Sequence, residues 1–142
     1  MVHPSAELYG SDRMFAEAAV ALAEAGWRVV VALPGGCEHG ELAVLLRDLG
    51  ADVVFCPTPV LRKAALRPAG FARLLFDGLR AVRPMLRLAR AVRPRAVYVN
   101  TVTVPLWLVL ARLLRLPVLA HVHEAEDEVP RPVRAALAAP LL

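Results

Sequence analysis

The chain has 142 residues, 58% hydrophobic and 21% charged, with a formal net charge of +4 and a mean hydropathy of +0.52. That length suits one domain, and the apolar content excludes a disordered tail, which lacks the hydrophobic surface to offset ordering entropy. A membrane span is not expected either: the stretch Ala96 to Ala111 contains Asn100, Thr101, Thr103 and Pro105 and runs into Arg112 and Arg115, whereas a spanning helix needs about 20 apolar residues.

Short β-rich runs alternate with longer helical ones. Val2 and His3 read as the end of a first strand. Ser11 is a good N-cap, and Met14, Ala18, Ala21, Leu22 and Ala25 recur at helical spacing up to Gly26. Trp27 to Leu33 is an unbroken apolar run closed by Pro34-Gly35-Gly36, which predicts a strand buried on both faces. A helix over Glu41 to Leu49 stops at Gly50, and Asp52 to Cys56 predicts a third strand before Pro57. Gly70 to Val92 predicts a long helix broken or kinked at Pro84. Its core face would be Phe71, Leu75, Leu79, Val82, Leu86 and Ala89. Ala96 to Asn100, a helix from about Val104 to Leu114, and Val118 to His123 complete the series. Such an alternation predicts an α/β fold, a Rossmann-like doubly wound and mostly parallel sheet of about five strands.

In open α/β sheets ligands bind at the carboxyl ends of the strands. Those ends carry His3-Pro4-Ser5, the run Tyr9 to Arg13, Pro34-Gly35-Gly36, Asn100-Thr101, and His121 to Glu124. In the order 3-2-1-4-5, His3, His121, His123, Asn100 and Gly10 would converge on one edge. Gly10, just before a helix, would let the backbone approach an anionic group at the first-turn N–H groups; a loop glycine chosen for its φ is the alternative. No G-x-G-x-x-G or G-x-x-x-x-G-K-[ST] supports dinucleotide or P-loop binding. His121 and His123 could share a metal with Glu124 or Glu126, or serve as hydrogen-bonded structural groups.

The seventeen basic residues are arginines apart from Lys63. Arg73, Arg80 and Arg87 recur every seven residues, with Arg83 and Arg90 alongside. This is either a solvated helix face or a surface attracted to anionic lipid or phosphate. Nucleic acid is not expected, for want of a recognisable binding module. Cys37 and Cys56 lack a Cys-x-x-Cys or zinc spacing, and Met1 to Pro4 lacks a secretory signal, so reduced thiols and a cytoplasmic location are expected.

Taken together, HPSAELYGSDRM, LAEAGWRVVVALP, LLRDLGADVVF, RPRAVYVNT and LPVLAHVHE, in this order over nearly the whole chain, resemble the N-terminal, acceptor-side domain of retaining family-4 glycosyltransferases of the GT-B architecture. The resemblance implies transfer of a sugar from a nucleotide-sugar to a sugar or lipid-linked acceptor. It needs no cofactor and no obligatory metal. It maps the catalytic, donor-sugar histidine to His123 with Glu124 beside it, and the donor and acceptor cleft to Gly10, Ser11, Asn100 and Thr101. Many members carry Gly-Gly in the first loop, where Tyr9 stands here. Nucleotide-sugar binding in the family resides mainly in a second, C-terminal domain with a Glu-x7-Glu signature, which residues 1–142 do not contain. The expectation is therefore half of a GT-B fold, incomplete at its C-terminal end and inactive alone. Bacterial cell-surface polysaccharide or glycolipid synthesis is the commonest setting. From the arginine row alone, and not from the resemblance, comes the further expectation of a peripheral contact with anionic membrane at the inner face of the plasma membrane through Arg73, Arg80 and Arg87. The alternative is a non-catalytic Rossmann-like nucleotide- or protein-binding module.

Overall fold

The computed structural model describes residues 1–61, 67–101 and 103–121. In chain order the elements are α1 (Gly10–Glu24), β1 (Val30–Pro34), α2 (Glu41–Asp48), β2 (Asp52–Cys56), α3 (Pro68–Val92), β3 (Val97–Val99), α4 (Pro105–Leu113) and β4 (Val118–Ala120). β1 pairs with β2 and β3 with β4, both in parallel. Among the described residues these two pairs replace the expected five-stranded sheet. The expected first strand contributes one residue: Val2 makes parallel bridges to Ala32 in β1 and Val99 in β3. Its N–H donates to the Tyr98 carbonyl at 2.8 Å, and its carbonyl accepts from Asn100 at 3.1 Å.

Two apolar clusters lie on opposite faces of the strands, as alternating side chains require. Phe15, Ala16 and Ala19 of α1 and Leu42, Ala43 and Leu46 of α2 pack on Val31 and Leu33. Ala81 and Met85 of α3 and Trp107, Leu108 and Ala111 of α4 pack with Val2, Ala32, Val97 and Val99. Helices on both faces of parallel strands make this a Rossmann-like α/β domain.

Several local expectations shift. α1 begins one residue before Ser11, with Tyr9 as its N-cap. Its buried face turns on Phe15, Ala16 and Ala19, leaving Met14 exposed. Trp27 and Arg28 precede β1: the Trp27 ring is half exposed, and Arg28 forms an exposed ion pair with Asp52 at 2.9 Å. α3 runs unbroken through Pro84 for 25 residues. It buries Ala81 and Met85, whereas Phe71, Leu75 and Leu79 of its expected core face are exposed. The last strand ends at Ala120, and its proposed continuation from 122 lies outside the described residues.

Candidate functional site

Because the strands are parallel, their carboxyl ends share one edge, where the loops that lead into helices gather. His3, the residue after the Val2 bridge, sits there at 1% exposure. Asn100 Nδ2–H donates to His3 Nδ1 at 2.9 Å, which leaves Nε2–H to donate to Asp12 Oδ1 at 2.7 Å. Asp12 is also buried, and its Oδ2 accepts the Tyr9 N–H at 2.7 Å. Ser11 Oγ adds a longer bond to Oδ1 at 3.3 Å. An acid at this first-turn position satisfies a helix N–H left without an intrahelical partner and complements the positive end of the helix. The network thereby ties the end of the first segment, the start of α1 and the loop after β3 into one unit. Among the described residues no buried side-chain nitrogen or oxygen lacks a hydrogen-bond partner.

Beyond Asn100, Thr101 Oγ1 donates to Thr103 Oγ1 and accepts the Thr103 N–H, both at 3.1 Å. These residues, with Ser5, Tyr9 and Ser11, line a polar cavity of about 170 Å³. Pro4, Ser5 and Tyr9 are shared with a larger cleft of about 1210 Å³, walled further by Gly35, Gly36, His39, Glu41, the 57–60 loop, and Asp77 and Arg80 of α3. The 57–61 loop is joined to the 100–104 loop where the Leu61 N–H donates to the Thr103 carbonyl at 2.7 Å. The 4–9 loop is seated from the other side: the Ala6 carbonyl accepts the Leu42 N–H at 3.0 Å, and a Cβ on Gly40 would run into that carbonyl. Two buried hydrogen-bonded anchors thus hold a polar cleft open to solvent.

The electrostatics are unremarkable for nucleophilic chemistry. Burial pushes the Cys56 thiol up, so it is not an activated thiolate. Backbone N–H groups of Glu38 and Gly36 hold the exposed Glu38 carboxyl below its ordinary value. Among the described residues no group of three or more His, Cys, Asp or Glu is placed to hold a metal ion.

Of the residues singled out in the sequence, Ser11, Asn100 and Thr101 meet at the small cavity. Gly10 opens α1 between two lining residues, and a Cβ there would meet nothing within 4 Å. His121 does not join His3. Its Nδ1 lies 2.8 Å from the Tyr98 hydroxyl, with the Tyr98 and Phe15 rings set between the two histidines in tilted and edge-on contacts at centroid distances of 6.3, 6.0 and 4.6 Å. Tyr98 points to the α1 face, and burial raises its phenol. His123 and Glu124 lie outside the described residues. What sequence reasoning missed is the central part played by His3 and Asp12. The available signal was an acid three residues after a helix N-cap, the spacing of half a capping box.

A Rossmann-like domain with a polar cleft at the carboxyl ends of its strands is the class this fold and site define. Residues 10–142 match the family model described as a glycosyl transferase 4-like domain, and the chain belongs to that family. No significant match to a curated protein or to a solved structure accompanies it.

Proposed function

We propose that this is the acceptor-side domain of a retaining glycosyltransferase that moves a sugar from a nucleotide-sugar to an acceptor. The observation that supports this most is the polar cleft, held at its root by the His3–Asp12–Asn100 network and fronted by the first turn of α1. Asn100 and Thr101 orient acceptor or donor hydroxyls. The backbone of Gly10 and Ser11 faces phosphate charge that develops on the leaving group, the role fixed dipoles perform well. His123 contacts the donor sugar, with Glu124 beside it. Donor binding rests mainly on a second Rossmann-like domain, no metal is obligatory, and these residues alone transfer little or no sugar. The setting is the cytoplasmic side of a bacterial membrane, in polysaccharide or glycolipid synthesis.

The test is an NMR titration of the chain with simple glycosides and with UDP- and GDP-sugars, alongside a transfer assay. Shifts centred on the amides of Gly10, Ser11, Asn100 and Thr101 are expected, without turnover. Shifts confined to other surfaces would overturn the site, and sugar transfer by the chain alone would overturn its inactivity. In an enzyme that includes the donor domain, His123→Ala is expected to abolish turnover; unaltered turnover removes His123 from the mechanism.

A further inference from the structure

The first half of α3 exposes an apolar surface. Phe71, Leu75, Phe76 and Leu79 are 53%, 53%, 58% and 76% exposed, values high for large apolar side chains grouped on one helix. At 100° per residue Phe71, Leu75 and Leu79 form one stripe along the helix, and Arg73, Arg80 and Arg87, with Arg83 and Arg90, form the adjoining one. The arginines are exposed, and Asp77 is the sole acid between Pro68 and Val92. Asp77 already lies 3.8 Å from Arg73, and the Arg80 guanidinium sits 5.4 Å over the Phe76 ring. The helix thus carries three faces: a buried one at Ala81 and Met85, an apolar exposed one, and a cationic one.

We infer that this surface of α3 docks on an anionic lipid membrane. The apolar stripe and the arginine row side by side match what an interfacial helix presents to acyl chains and headgroups. A second copy of the chain fits less well, because a symmetric pairing of α3 on α3 would bring the arginine rows together with one acid per chain to offset them. Asp77 and Arg80 also line the larger cleft, so a membrane seated on α3 lies beside its mouth. The docking rests on α3 alone; joined to the transferase assignment, it puts a membrane-held acceptor within reach of the cleft.

Flotation of the chain with phosphatidylcholine vesicles, with and without phosphatidylglycerol, tests this. The chain is expected to float with the anionic vesicles only and to be released by salt. Leu75→Glu with Leu79→Glu is expected to weaken binding at least about tenfold, and Arg83→Ala with Arg87→Ala about thirtyfold, from about 1 kcal/mol per arginine at such a surface. All four positions are exposed, so retained circular dichroism is expected to show that the fold survives. Absence of flotation, flotation indifferent to both variant pairs, or a dimer in light scattering that Leu79→Glu dissolves would overturn the inference. Glycoside shifts at Asn100 and Thr101 that persist without flotation overturn the docking and leave the transferase assignment standing.

Discussion

At the carboxyl ends of the strands, His3, Asp12 and Asn100 leave water together and satisfy one another's hydrogen bonds. At the amino ends lies a cavity of about 320 Å³ lined mainly by Met1, Val30, Ala32, Val97, Trp107 and Leu110, with Arg28, Arg93 and Arg95 also in its wall. The difference follows from chain direction. Parallel strands send every connection toward a helix start at one end and away from a helix finish at the other. Unpaired N–H groups therefore gather at the carboxyl end, where they favour anions and polar side chains. At the other end helix C-terminal carbonyls gather instead, and Arg28, Arg93 and Arg95 share the cavity wall with the apolar side chains. Polar groups are buried in company at the first end; at the second, a polar group meets mostly apolar surroundings and its chemistry shifts instead.

The carboxyl end should break hardest. Asp12→Ala removes the acceptor of both the His3 Nε2–H and the Tyr9 N–H, leaving buried donors unanswered at a cost of about 3 kcal/mol. Urea denaturation reads this as a lower midpoint, and Asp12→Asn, which keeps one acceptor oxygen, is expected to cost about 1 kcal/mol. Because His3 and Asp12 touch, the double variant Asp12→Ala/His3→Ala should cost clearly less than the two single losses added. Additivity would mean that the 2.7 Å contact does not seat the site.

This network was only half legible in the sequence. Asp12 could be read as a first-turn acid, but the bond between His3 and Asn100 spans 97 residues and leaves no trace in local periodicity. β2 was legible as drawn, because an apolar run bounded by Gly50 and Pro57 has few alternatives. α3 shows the opposite case. Its Leu and Phe stripe reads as a core face along the whole helix, yet Phe71, Leu75 and Leu79 are exposed, and only Val82 and Leu86 of that stripe pack on the core beside buried Ala81 and Met85. Periodicity reports that a helix is amphipathic; which face finds a partner depends on where the helix lies. Likewise, the alternation of β3 sends Tyr98 toward α1, and Tyr98 takes His121 away from the cleft.

The amino end yields a smaller, pH-dependent effect. The Met1 amine donates to the Val30 carbonyl at 2.6 Å, and burial lowers its pKa from 8.0 to about 6. Desolvation is the cause, since burial disfavours the charged amine. Between those two values the unfolded chain binds the proton and the folded chain does not. Stability should thus rise as pH climbs from 6 to 8, by on the order of 2 kcal/mol for a chain with a free amine at Met1. Melting temperature against pH checks it, and Nα-acetylation should flatten the slope. A slope that survives acetylation would move the effect to another group.

The least effect on stability belongs to Gly10→Ala, and it is the sharpest probe of what the carboxyl end is for. Gly10 has no positive φ, and its added methyl would meet nothing within 4 Å. Alanine is also the better helix former, so stability should stay within about 0.5 kcal/mol of the parent or gain slightly. A phosphate or sugar ring resting on the first turn of α1 would occupy the space of that methyl. Titration of pyrophosphate and nucleotide-sugars, followed at the Ser11 and Asn100 amides, should then show binding weakened about tenfold, the size of one lost charge-assisted contact. Unchanged binding with unchanged stability would make Gly10 an ordinary first-turn residue with no part in binding. The ligand would then be held by the side chains rooted in the His3 network, with no part for the open backbone of α1.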